Sequence, residues 1–205
     1  MRKFYFVMCL LFLLGLINAE PVLSEESNIL RNPGFEEGDS HLDYWRMGGN
    51  ATFVGVQSWQ PYEGKWSLGI GNDLSGAHEG SGGCVFQVLL DKKDSANLFP
   101  VSPGQTFSFE MWMKTEDKYR GKASLKIEFF DYDRRLRLKK EPIAVFESKV
   151  HTGEIAGKWI KESVTGVAPP GTVSISVSCL SEDMDAGSRY VFFDAGIVKV
   201  TRTLL

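Results

Sequence analysis

The strongest constraint on this chain is a repeated alternation of apolar and polar residues at period two. In residues 106–114, Phe107, Phe109, Met111 and Met113 share one parity, and Ser108, Glu110, Trp112 and Lys114 share the other. In residues 123–130, Ala123, Leu125, Ile127 and Phe129 alternate with Ser124, Lys126, Glu128 and Phe130. In residues 172–179, Val173, Ile175, Val177 and Cys179 alternate with serines 174, 176 and 178. Each pattern predicts a strand with one face on a core and one face in water. Residues 65–70 alternate in the same way and predict Trp66, Leu68 and Ile70 inside. Two stretches, 84–90 and 190–200, are apolar on both parities and predict central strands. Ser102-Pro103-Gly104 and Pro169-Pro170-Gly171 mark turns before strands. Residues 75–83 read as a loop, and 91–97 as at most one helical turn. Many short strands without a capped amphipathic helix predict an all-β fold, either a sandwich or a barrel.

Residues 1–19 have the three parts of a secretory signal peptide. Arg2 and Lys3 give the basic start, residues 4–16 the apolar run, and Ala19 a small residue for cleavage. Residues 20–27 read as a short polar leader, leaving the sandwich at 28–201. The expected location is secreted, either extracellular or periplasmic, with no membrane span in the mature chain. Cleavage removes two basic residues and no acid, taking the formal charge from −3 to −5. That balance disfavours a general nucleic-acid partner. Cys84 and Cys179 remain after cleavage. An oxidising compartment makes them a candidate disulfide, and two separately buried thiols are an equal alternative.

Four segments carry a family resemblance. Asn28 to Glu36 (NILRNPGFE) precedes Trp45; Gly64-Lys65-Trp66-Ser67-Leu68 follows; then comes VSPGQTFSFEMWMK at 101–114; FFDAGIVKV closes the chain at 192–200. In that order they resemble the jelly-roll carbohydrate-binding modules of cellulases and xylanases, families four, nine and twenty-two, which have a galactose-binding-like fold. The resemblance implies a two-sheet antiparallel β-sandwich of the jelly-roll kind, with a structural calcium ion tying the first strand to the last. The carboxylates of Glu36 and Asp194 would be its ligands, with main-chain oxygens near Asn32 and Lys65, and Ala195 stands where the family often has a second Asp. Calcium takes six to eight hard oxygen ligands, which such residues supply.

The resemblance also implies a carbohydrate ligand, and the residue types supply candidates for it. Sugars stack on aromatic rings while polar groups read their hydroxyls. Trp112 shares a face with Glu110 and Lys114, and Phe130 shares one with Glu128. If both faces line one cleft, they form its floor. Trp59 and Tyr62 lie in a turn-rich loop that would form a rim. Trp45 and Trp159 are expected as core anchors. The basic run Arg134 to Lys140 reads as a charged hairpin edge, or as a contact for an anionic polysaccharide.

Catalytic signatures are sparse. Gly38-Asp39-Ser40-His41-Leu42 matches a hydrolase nucleophile block but lacks its strand and its late Asp-x-x-His. A glycosidase needs two carboxylates across a cleft, and Glu110 with Glu128 is the pair that alternation suggests. The expected function is a non-catalytic module that holds a poly- or oligosaccharide. A glycan-degrading enzyme or a cell-surface protein is a further expected partner. The alternatives are an adhesive or structural protein with the same fold, and a small glycan hydrolase or lyase.

Overall fold

The computed structural model describes residues 28–72, 80–89, 101–136 and 140–201. The expected signal peptide and leader, the helical turn at 91–97 and most of the loop at 75–83 lie outside these. Ten strands and one short 3-10 turn follow in order. They are β1 (Arg46–Gly49), β2 (Phe53–Gln57), β3 (Ser67–Gly71), β4 (Ser81–Val88), β5 (Thr106–Thr115), β6 (Lys122–Phe130), the turn Arg134–Leu136, β7 (Ala144–Glu147), β8 (Ile160–Val167), β9 (Ser174–Met184) and β10 (Val191–Thr201). Sheet I has the order β1-β4-β9-β6-β7, and sheet II the order β2-β3-β10-β5-β8. All pairings within both sheets are antiparallel. Among the described residues no helix is long and apolar enough to cross a membrane.

The alternation built the core as expected except at Val173, which precedes β9 and is exposed rather than inward. Phe107, Phe109, Met111 and Met113 of β5 are fully buried, as are Leu125, Ile127 and Phe129 of β6 and Ile175 and Val177 of β9. The Phe107 and Phe129 rings meet between the sheets at 5.9 Å. Each such side chain contributes about 1.5–3 kcal/mol by leaving water. Trp45 is a core residue as expected, its indole N–H donating to the Asn32 carbonyl at 2.9 Å.

The amino-terminal motif is a brace on β10. Ile29 donates to the Val198 carbonyl, Gly196 to the Pro33 carbonyl, and the Asn28 amide side chain bridges Gly196 and Val198. Asn32 takes a positive φ of 47°, a conformation Asn tolerates. Its buried side chain accepts from the Glu37 N–H and donates to the carbonyls of Glu37, His41 and Asp43.

Five further expectations are corrected. Of the two candidate central strands, β10 is central but β4 is second from an edge, and β9 occupies the middle of sheet I. The β9 serines do not face water: Ser174, Ser176 and Ser178 are buried, because the larger side chains of β4 and β6 rise on either side of them. Trp66 precedes β3 and stacks on His41 at 4.1 Å, half-buried outside the core. Trp159 is half-buried on the outer side of sheet II. The described part of the basic run makes a 3-10 turn that folds onto sheet I, not a hairpin edge, and residues 137–139 lie outside the described chain.

Candidate functional site

The sequence candidates fall on two outer faces. Trp112, Glu110 and Lys114 project from sheet II, where Trp59 and Tyr62 join them. Phe130 and Glu128 project from sheet I. Both core layers stand between the two groups, so one cleft cannot hold them all. Glu110 and Glu128 therefore cannot flank a common glycosidic bond, which needs carboxylates about 5–10 Å apart across one cleft. The alternation assigned each residue a side of its strand, but not which sheet the strand would join.

The outer face of sheet II is filled by its own loop. Tyr62 lies flat on Trp112, with centroids 4.1 Å apart and planes 18° apart, and meets Trp159 edge-on at 5.6 Å. Trp59, 53% exposed, stands edge-on against Phe192 and Tyr190. Lys114 is buried, bonds the Gln60 side chain and lies 4.9 Å over the Trp159 ring. Burial lowers its pKa. Glu110 pairs with Lys161. Most rings and charges on this face thus find partners within it, and a cavity of about 400 Å³ opens beside Gln60 and Lys114.

The outer face of sheet I differs. Its middle is the small-residue strip Ser174, Ser176 and Ser178. Phe86 and Val88 of β4 border it on one side, Glu128 and Phe130 of β6 on the other. The Arg134 guanidinium crosses between the two rings, 5.6 Å from Phe86 and 5.3 Å from Phe130. Phe130 is consequently only 2% exposed, against the expectation of an open stacking ring. The Ser176 hydroxyl and the Arg134 Nε are buried with no hydrogen-bond partner. Burial raises the Glu128 carboxyl above its ordinary pKa, more than Lys126 and Arg134 lower it. Buried polar groups without a hydrogen-bond partner are uncommon. Among the described residues the others are His41 Nδ1, Thr115 Oγ1 and Glu110 Oε2, which has only its ion pair with Lys161. A cavity of about 440 Å³ lies at one end, by Gly82, Cys84 and Leu180. Another of about 240 Å³ lies at the opposite end, by Val88 and Arg46. Sequence reasoning missed Phe86, Ser176 and Arg46 as site residues, while Arg134 opens the basic run it offered as a contact for an anionic polysaccharide. Phe86 was legible from its parity in the β4 run, but an alternating serine reads as a solvated face.

Cys84 and Cys179 are both free. Cys179 lies opposite Val85 and points into the core, so Cys84 points to the outer face, beside Gly48. Side chains leaving opposite faces of one sheet cannot bridge, which removes the candidate disulfide.

The expected calcium ligands are brought together in part. Asp194 and Glu36 flank Gly34, with Asp194 Oδ1 3.7 Å and Glu36 Cγ 3.8 Å from the point where a β-carbon would stand. Asp194 is fully buried and accepts N–H groups of Tyr62, Glu63 and Ala195. Burial lifts its carboxyl to about 6. Glu36 accepts the N–H groups of Lys65 and Trp66. The two carboxylates have no ion-paired cation among the described residues, but Asp194 Oδ1 and Oδ2 and Glu36 Oε1 already accept backbone N–H groups. Asn32 fits less well, because its carbonyl already serves Trp45 and Phe35. Lys65 turns an N–H, not an oxygen, toward Glu36. Among the described residues no group of three or more His, Cys, Asp or Glu is placed to hold a metal.

Comparison of the fold with solved structures places this arrangement. TmCBM61 in complex with β-1,4-galactotriose superposes with a TM-score of 0.53 at 18% identity, covering 84% of this chain and 97% of that one. The CBM22-1–GH10 modules of Clostridium thermocellum xylanase 10B, complexed with xylohexaose, give 0.56 at 18% identity, covering 88% and 29%. The chain has the jelly-roll fold of carbohydrate-binding modules. A cyclase from Fischerella sp. TAU shares it too, with a TM-score of 0.58 at 12% identity, covering 88% and 100%. The chain spans only 21% of a bacteriophage CBA120 tailspike that also matches. No family model and no curated protein matches the sequence.

Proposed function

We propose that this chain is a secreted, non-catalytic module that binds a poly- or oligosaccharide on the outer face of sheet I. The observation that carries the reading is the pair of buried, unpartnered groups on that face, the Ser176 hydroxyl and the Arg134 Nε. Sugar hydroxyls donate and accept, so they satisfy such groups, and the Phe86 ring beside them offers an apolar surface. From Gly82 to Val88 the face runs about 20 Å at strand spacing, long enough for several sugar units. The fold likeness to modules solved with galactotriose and xylohexaose supports the same ligand class. Pairing of Glu110 with Lys161, and its separation from Glu128 by both sheets, argue against the glycosidase alternative.

Calcium remains part of this proposal. Glu36 and Asp194 would hold it against Gly34, where it would fasten the amino-terminal brace to β10 and neutralise a buried carboxylate.

Affinity electrophoresis through gels carrying xylan, β-glucan, galactan and an acidic glycan tests the reading. Retardation abolished by Phe86→Ala and Glu128→Gln, and kept by Trp59→Ala, is expected. Retardation abolished by Trp59→Ala alone would move the site to sheet II. No retardation in any gel would overturn carbohydrate binding for these classes.

A further inference from the structure

Resting on the carbohydrate reading above, we propose that the glycan is anionic and that its acid groups are held by an arginine cluster at one end of the sheet I face. Arg31, Arg46 and Arg135 line the 240 Å³ cavity together with Tyr44 and Gln87. Arg46 stands directly across from Phe86 in the β1–β4 pairing, and Arg134 covers that same ring from above. Three arginines thus line one cavity and a fourth, Arg134, lies over the ring across from Arg46, in a chain whose overall charge is −3.

Their charges are poorly compensated. Arg135 occupies both oxygens of Asp133 through Nε and Nη2, and the half-buried Glu128 carboxyl faces Arg134. Arg31, Arg46 and Arg134 form no ion pair among the described residues. Arg31 instead lies 4.8 Å over the Tyr44 ring, which is half exposed. Arg134 keeps a buried Nε unpartnered. Gathering four like charges with two acids among them is unfavourable in the free protein, so a bound anion recovers that repulsion.

The site is also built rather than accidental. Gln87, 3% exposed, fixes the backbone that carries Arg31 by accepting its N–H at 3.0 Å and donating to its carbonyl at 2.9 Å. A guanidinium presents a planar fork that matches a carboxylate in a bidentate pair. A polyuronate supplies a carboxylate on every ring for these guanidinium groups, with hydroxyls for the polar groups beside them. A sulfated glycan offers the same anionic contact.

The test is affinity electrophoresis of the full chain and its variants in gels of polygalacturonate, carboxyl-reduced polygalacturonate, a sulfated galactan and neutral xylan. Retardation is expected in polygalacturonate, with loss in the carboxyl-reduced polymer and weakening as NaCl rises. Arg46→Gln and Arg31→Gln should each weaken it about ten- to a hundredfold, the loss expected for one charged bidentate contact. Lys158→Gln, away from this face, should leave it unchanged. Arg46→Lys keeps the charge without the fork and should fall between. Unchanged melting of each variant shows that binding, not folding, was lost. Retardation by the sulfated polymer alone also supports an anionic ligand and selects sulfate as the acid group. Equal retardation in xylan and polygalacturonate, insensitive to Arg46→Gln, overturns this proposal and leaves carbohydrate binding standing. No retardation in any gel overturns both. Equal affinity for single-stranded DNA of matched charge overturns the sugar specificity.

Discussion

Cys84 and Cys179 sit on neighbouring strands one residue out of register, and their sulfurs leave sheet I on opposite sides. Native alkylation followed by peptide mapping should label Cys84 slowly, because burial raises its pKa. Cys179 should react only after unfolding, since it is fully buried in the core. Recovery of a peptide joined through both cysteines from native protein would refute this register.

The Tyr62–Trp112 stack on sheet II gives a stability prediction. Tyr62→Ala removes a ring contact and uncovers Trp112, so it should lower unfolding free energy by about 1–2 kcal/mol. Glycan retardation should not change, because the proposed binding face is on the other sheet. Urea denaturation and gel retardation on one sample check both halves.

Asn32 makes a larger contribution. Asn32→Ala strands the Glu37 N–H and three carbonyls in a turn with positive φ. The expected loss is about 2–4 kcal/mol, measured by urea denaturation. A loss below 0.5 kcal/mol would show that water replaces the side chain.

Calcium should stabilise the proposed Glu36–Asp194 site. Adding calcium at a hundredfold excess over Kd to chelator-treated protein should contribute about 2.7 kcal/mol. Asp194→Asn should abolish that increment while magnesium gives little of it in the wild type. Identical melting with calcium and with chelator would remove the ion from the fold.

Glu128 predicts a pH dependence. Its carboxyl is raised from the ordinary 4.5 by burial, so the folded protein holds this proton when the unfolded chain has released it. Its contribution to stability is therefore present below about 4.5 and declines as pH rises through its folded-state value. Glu128→Gln should flatten that part of the stability–pH curve. An unchanged slope would show that Glu128 is hydrated in the native state.

The regular elements were legible because side-chain period reports burial directly. Residues 106–114 and 123–130 became β5 and β6 with the expected faces inward. The short strands β1, β2, β7 and β8 were not legible, since four to eight residues with mixed polarity give no clear period. Within the site, parity placed Trp112 and Glu128 on outer faces but was silent on which sheet each strand would enter. Ser176 shows the opposite failure: its polar alternation predicts solvent, while its larger neighbours on adjacent strands bury it.

The sequence by itself determined the long strands and the inward side of most of their residues, because these follow from local period. The tertiary structure decided everything that depends on strand order. It separated Glu110 from Glu128 by two layers, turned two cysteines away from each other and gathered Arg31, Arg46, Arg134 and Arg135 at one end of a face. Those relations join residues many tens of positions apart. They are set by how sheets pair and pack, which no local pattern encodes.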